Sequence, residues 1–221
     1  MKILAVTDFH GNGEAVKATA KRAIANKAEN IIVCGDFTHF GPVKQAEEFL
    51  EILTKTELPI LFVPGNCDDP KLAKSKVKGT SCIHGTYVVI DDIYFLGIGG
   101  GAPGPFKTPF ELTEEEKQNL LEKAYQSASN PQHVVLVTHM PPHNSRVDVA
   151  RGGQHIGSKS VRMFIEERQP ILALCGHVHE SNGVDKIGRT IIVNPGPASK
   201  GFCAIVDLDQ YSANVQLISL G

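Results

Sequence analysis

Asp8 and His10, Asp36, Asn66, His139, and His177 and His179 are the side chains of this sequence whose types and spacing point to chemistry. Carboxylate, imidazole and amide oxygen together make a ligand set for divalent metal ions. Asp8-x-His10 and His177-x-His179 repeat one pattern, two ligating side chains two positions apart directly after an apolar run. On an extended backbone, side chains two apart share a face, so each pair can reach one small volume. Asp36 follows the run Ile31-Ile32-Val33-Cys34 and Gly35, Asn66 follows Gly65, and His139 closes another apolar run. Seven ligands are too many for one tetrahedral site and suit two adjacent five- or six-coordinate ions sharing a carboxylate, for which Asp36 is the natural bridge. Each residue alone has a plainer reading. Asp36 would serve as a turn former or N-cap, Asp8-Phe9-His10 as a surface turn, and the loop histidines as solvated side chains.

The elements that must position these residues follow from periodicity. Apolar, β-branched runs predict buried strands over 3–7, 31–33, 59–63, 132–138 and 171–175, with the candidate ligands at their C-terminal ends. In open α/β sheets that is where ligands collect. Helices are predicted after Gly13, with Ala15, Val16, Ala20 and Ile24 on the apolar face; over 42–54, opened by a proline; over 113–129, opened by a capping box at Thr113 with Glu114, Glu115 and Glu116; and over 158–168, capped by Ser158. Residues 86–90 and 93–98 read as a hairpin passing from a parallel layer into an antiparallel one, and 183–194 and 202–219 as further hairpins. The Lys-rich stretch 71–85 reads as a solvated loop. Residues 97–106 place Gly97, Gly99 and Ala102 at dinucleotide-fingerprint offsets, but Pro103 and Pro105 interrupt the helix such a site needs, so a loop is expected.

At 221 residues with 42% hydrophobic content, the chain is expected to form one domain around a sizeable core. The net charge of −2 and the mixed distribution of Lys and Glu give no sign of a basic footprint for nucleic acid or of a polybasic membrane anchor. Five scattered cysteines without a CxxC pair read as reduced thiols, and the start MKILAVTDFH lacks the apolar length of a signal peptide. A cytoplasmic location is expected.

The order Asp8-x-His10, Gly35-Asp36 through Gly41, Gly65-Asn66, His139 and Gly176-His177-x-His179 resembles the calcineurin-like metallophosphoesterase superfamily, the class III phosphodiesterase type, from residue 3 to about 207. The resemblance implies an α/β fold, a four-layer αββα sandwich of two mixed sheets with flanking helices. It implies two divalent transition-metal ions drawn from Mn, Fe, Zn, Ni and Co, one held by Asp8, His10, Asp36 and His179, the other by Asp36, Asn66, His139 and His177. The implied reaction is hydrolysis of phosphate esters, phosphodiesters or nucleotides first, by a hydroxide held between the ions. A phosphomonoesterase or nuclease is the alternative within the class, and a metal-free interaction scaffold like the retromer-subunit relatives the alternative outside it. The expected partner is a small phosphate-ester substrate, with no membrane, nucleic acid disfavoured, and at most a second copy of the chain.

The sequence departs from the common pattern at Cys67, where many relatives carry a histidine thought to protonate the leaving group; small phosphodiesterase-like members share this Gly-Asn-Cys-Asp block. A thiol of ordinary pKa is a poor general acid, and a small packing residue is the plainer role for it. His39 is the candidate replacement acid, against a plain solvated-loop histidine. Loops 97–106 and 143–157 are expected to border the site and set specificity.

Overall fold

In the computed structural model, which describes residues 1–129 and 131–221, the apolar runs sort into two facing sheets. The elements follow one another as β1 (Lys2–Val6), α1 (Gly13–Ala25), β2 (Asn30–Val33), α2 (Val43–Thr54), β3 (Ile60–Phe62), β4 (Thr80–Cys82), β5 (Tyr87–Ile90), β6 (Ile93–Ile98), α3 (Glu114–Ser127), β7 (Val134–Thr138), α4 (Lys159–Arg168), β8 (Leu172–Leu174), β9 (Gly183–Ile187), β10 (Thr190–Asn194), β11 (Phe202–Leu208) and β12 (Ala213–Ser219). One sheet has the order β12-β11-β1-β2-β3-β4 and the other β5-β6-β7-β8-β10-β9. Both are mixed. β1 to β4 run parallel, β11 runs antiparallel to β1 and β12 antiparallel to β11, and β6, β7, β8 and β10 run parallel between the antiparallel edges β5 and β9.

Continuous apolar strands are buried on both faces, and the two faces build different cores. Ile3 and Ala5 of β1 point into the layer between the sheets, where Leu61, Phe95, Val135, Val137 and Leu174 meet them. Leu4 and Val6, their neighbours in sequence, point the other way and pack under Val16, Phe49, Leu50 and Leu53 of α1 and α2. The second sheet does the same with Leu136 and Ala173 under Leu121, Val161 and Phe164 of α3 and α4. The result is the αββα sandwich.

Residues 71–85 are not all loop: a short 3-10 turn covers Pro70–Lys74, and β4 pairs in parallel with β3 through Ile60↔Thr80 to Phe62↔Cys82. Thr-Ser-Cys is a half-buried edge strand, where polar residues are tolerated and no apolar alternation betrays it. The hairpin of β5 and β6 does not pass from one layer into another, because β6 runs parallel to β7 and β5 forms the sheet edge. Helix α1 buries Ala15, Val16, Thr19 and Ala23, leaving Ile24 56% exposed, because the packed stripe steps from 19 to 23.

The caps hold as chemistry requires. Asn12 Oδ1 accepts from the amides of Glu14 and Ala15 at 3.1 Å. At α3 the Glu116 amide donates to Thr113 Oγ1 at 3.2 Å while Glu116 Oε2 accepts from the Thr113 amide at 2.7 Å. Glu114 also accepts from Ser158 Oγ at 2.9 Å and the Ser160 amide at 2.6 Å, so the acidic run joins the starts of α3 and α4. Thr113→Ala is expected to cost about 1 kcal/mol and to lower Tm by about 2–4 °C with bound metal unchanged. Thermal unfolding checks this, and an unaltered Tm would show that the cap contributes nothing.

Candidate metal centre

Each candidate ligand stands just beyond the C-terminal end of an inner strand: Asp8 and His10 after β1, Asp36 after β2, Asn66 after β3, His139 after β7, and His177 and His179 after β8. The two sheets therefore contribute from opposite sides of one crevice. The backbone there is not extended. Asp8, His10, Asp36 and His177 have φ of 57°, 46°, 54° and 70°. Asp and His enter this left-handed region more readily than most residues, yet each such backbone costs of order 1–3 kcal/mol. A ladder of loop-to-loop bonds holds it: the amides of Asp8, His10 and Gly11 donate to the carbonyls of Gly35, Asp36 and Phe37 at 3.0, 3.0 and 2.9 Å. The shared face expected from two-residue spacing thus arises from paired turns and not from strand pleating.

Gly35, at φ 99°, shows how tight the crossing is, since a Cβ there would lie 2.6 Å from His139 Nδ1 and 2.7 Å from Gly65 Cα. Asp68 fastens the same crossing. It is fully buried and accepts from the amides of Phe37, Thr38 and Gly65 at 3.1, 2.8 and 2.9 Å and from Thr38 Oγ1 at 3.1 Å. One carboxylate thereby locks the Asp36 loop to the Asn66 loop. Asp68 was not among the expected site residues, although the Gly-Asn-Cys-Asp block contains it.

The donor atoms form two groups that meet at Asp36. On one side His10 Nε2 and His179 Nε2 lie 3.0 Å apart, and Asp8 Oδ1 is 3.6 and 3.3 Å from them. On the other, Asn66 Oδ1 is 2.8 Å from His139 Nε2 and 2.9 Å from His177 Nδ1. Asp36 Oδ2 is 3.7 Å from His10 Nε2 and 3.5 Å from His139 Nε2, while Asp36 Oδ1 accepts from the Cys67 amide at 2.8 Å. Two ligands at right angles on an ion, each at about 2.1 Å, are about 3 Å apart. The observed spacings match that.

The proton inventory also fits cations. His139 Nδ1 lies 2.8 Å from the Cys34 carbonyl, which can only accept, so the imidazole proton belongs on Nδ1 and Nε2 presents a lone pair. That lone pair faces Asn66 Oδ1 and Asp36 Oδ2, acceptors like itself. Asp8 Oδ1 is buried with no hydrogen-bond partner among the described residues. Buried acceptors turned on one another are costly unless a cation lies among them.

Charge follows the same division. Burial opposes ionisation of Asp8, but the contacts from His10 and His179 hold its carboxyl well below the ordinary range. Burial, the Asp8 charge and the Asp68 charge push Asp36 well above it. Burial lowers His139, and burial with the neighbouring His139 takes His177 down to about 3, so these imidazoles are neutral, as ligands must be. Burial opposes protonation of His10, but Asp8 and Asp36 raise it, and Asp8 raises His179. At these outer imidazoles, protons would compete with a metal ion for the ring nitrogens.

His39 is exposed at the mouth, its ring edge-on to His10 at 5.5 Å between centroids. It also groups with His10 and Cys67. Burial and the Asp36 charge push the Cys67 thiol far up, which keeps it protonated when no cation is bound beside it. Loop 97–106 begins in contact with the centre: the Gly100 amide donates to the Pro64 carbonyl at 3.0 Å, and a Cβ on Gly101 would lie 2.7 Å from Asn66 Cβ. Its first residues therefore support Asn66, and the later ones are freer to vary. Loop 143–157 is fastened beyond His179, with the Arg151 amide donating to Glu180 Oε1 at 2.8 Å.

A sequence profile described as calcineurin-like phosphoesterase matches residues 1–181. An uncharacterized protein of Methanocaldococcus jannaschii is 39% identical over 204 residues, spanning 90% of this chain and 89% of its own. Among solved structures, a Thermus thermophilus protein aligns with TM-score 0.81 at 21% identity, covering 100% of this chain and 99% of that one. A dimetal phosphatase from Danio rerio aligns with TM-score 0.71 at 11% identity, covering 100% and 96%. These two likenesses show the fold.

Asp36→Asn is expected to weaken both groups of ligands for metal, and His139→Ala chiefly one, because a shared carboxylate supplies charge to both sides and an imidazole to one. Calorimetric titration with Mn²⁺ checks this. Two equivalents bound by the Asn variant with unchanged affinity would remove Asp36 from the bridging position.

Proposed function

The chain belongs to the calcineurin-like phosphoesterase family, and from that membership we propose that it hydrolyses phosphodiesters or nucleotides at a centre of two divalent cations sharing Asp36. The observation that supports this most is the place of Asp36 Oδ2, 3.7 Å from one imidazole group and 3.5 Å from the other. In this reading Asp8, His10, Asp36 and His179 hold one ion, and Asp36, Asn66, His139 and His177 the other. When bound, the ions supply water activation near neutral pH and positive charge on the phosphoryl oxygens.

The chain's own residues set the rest. Two carboxylates against two divalent ions leave the centre net positive, which suits an anionic ester. The Cys34 carbonyl orients His139, and Asp68 fixes the loops that carry Asp36 and Asn66, so the ligands need not reorganise as substrate arrives. His39, beside His10 at the mouth, donates the proton to the leaving alkoxide in place of the histidine that Cys67 replaces. A reducing compartment, the cytoplasm, suits five free cysteines. No described helix is long and apolar enough to cross a membrane.

Metal stripping tests the enzyme reading. Chelated protein is expected to lose phosphodiesterase activity and to regain it with Mn²⁺, Co²⁺, Ni²⁺ or Zn²⁺; protein that binds no stoichiometric transition metal would be a scaffold. For the proton donor, His39→Ala is expected to slow an alkyl phosphodiester by about 10²-fold or more and an activated aryl diester far less, with metal content unchanged, since acid assistance matters most for poor leaving groups. Equal slowing of both would assign His39 to positioning, and no slowing to the solvent.

A further inference from the structure

Phe40 is the one apolar side chain among the described residues that stands on a left-handed backbone, at φ 60°. A bulky residue there is a true outlier, and a glycine would occupy the position without strain. The ring's stacking contact is with His39, itself exposed. Phe40 is 53% exposed and belongs to none of the three cores. The backbone around it is pinned: the Phe40 amide donates to the Cys67 carbonyl at 3.0 Å, and the Gly41 amide donates to Thr38 Oγ1 at 3.3 Å. A strained, rigidly held and solvent-exposed aromatic ring outside all three cores is the kind of feature that gathers where a ligand is received.

The ring's surroundings say which ligand. Phe40 stacks on His39 with centroids 4.8 Å apart and planes 13° from parallel, and His39 meets the metal-side ring of His10 edge-on at 5.5 Å. Two ring-to-ring steps, His10 to His39 and His39 to Phe40, therefore link the ligand cluster to the phenyl ring. A nucleotide has this layout, an anionic phosphate separated by one sugar from a flat aromatic base. Aromatic faces receive bases with little regard to sequence, because every base has a π-face.

We propose that Phe40 is a specificity-determining residue whose ring receives the nucleobase of a nucleotide ester while the phosphoryl group sits at the Asp36 centre and the sugar crosses His39. The inference rests on the phosphoesterase reading for where the phosphate sits, and it adds that the substrate is a nucleotide and not a simple alkyl or sugar phosphate.

Binding of non-hydrolysable analogues tests it without turnover. Calorimetry on Mn²⁺-loaded protein compares the methylene-phosphonate analogues of adenosine 5′-monophosphate, ribose 5-phosphate and phenyl phosphate. The wild type is expected to bind the nucleotide about tenfold more tightly than ribose 5-phosphate. Phe40→Gly is expected to abolish that difference while keeping ribose 5-phosphate affinity, metal stoichiometry and Tm, since glycine accepts φ 60°. Phenyl phosphate, whose ring reaches only His39, is expected to be indifferent to Phe40→Gly. Equal wild-type affinity for nucleotide and sugar phosphate would overturn the proposal, and so would Phe40→Gly weakening all three alike. A protein that binds nucleotide through Phe40 yet hydrolyses no phosphate ester would keep this inference and defeat the phosphoesterase reading. An active esterase without a Phe40-dependent preference would do the reverse.

Discussion

Two carboxylates, Asp8 and Asp36, are buried within reach of the same imidazoles, and the rest of the site is arranged around that electrostatic difficulty. Burial and mutual repulsion push Asp36 towards its neutral form, Asp8 Oδ1 has no donor among the described residues, and His139 offers Asp36 a lone pair and not a proton. Protons alone satisfy this arrangement poorly. Positive charge placed where both groups of donors meet resolves it, so metal affinity and local stability are the same quantity here.

The sandwich makes that convergence possible. Strands of one sheet deliver Asp8, Asp36 and Asn66, strands of the other deliver His139, His177 and His179, and the apolar layer between the sheets fixes the distance between them. The last few residues are placed by turns. Left-handed backbones at Asp8, His10, Asp36 and His177 bend the side chains inward, the loop-to-loop amide ladder keeps them there, and Asp68 binds two of the loops with four hydrogen bonds. Residues outside the candidate ligand set thus hold those within it.

Much of this was legible in the residues alone. Apolar runs ending in Asp36, Asn66 and His139 announced buried parallel strands with polar C-terminal ends, because a strand covered on both faces has no other way to be written. The turn conformations were not legible, since Asp-x-His has the same letters on extended and on left-handed backbone. Nor was β4, whose Thr-Ser-Cys lacks a pattern, or the roll of α1 that exposes Ile24, because a helix of modest amphipathicity is oriented by its neighbours. Asp68 escaped because its partners are mostly backbone amides, which carry no sequence signature. Phe40 escaped for the opposite reason: an aromatic in a loop looks like any other until its backbone angle and exposure are known.

Whether Asp36 joins two ions is measured directly by anomalous scattering from crystals grown with Mn²⁺. Two peaks about 3.5–4 Å apart are expected, one among Asp8, His10 and His179, the other among Asn66, His139 and His177, with the Asp36 carboxylate spanning them. A single peak, or two peaks with Asp36 bound to neither or to one alone, would contradict the bridging role of Asp36.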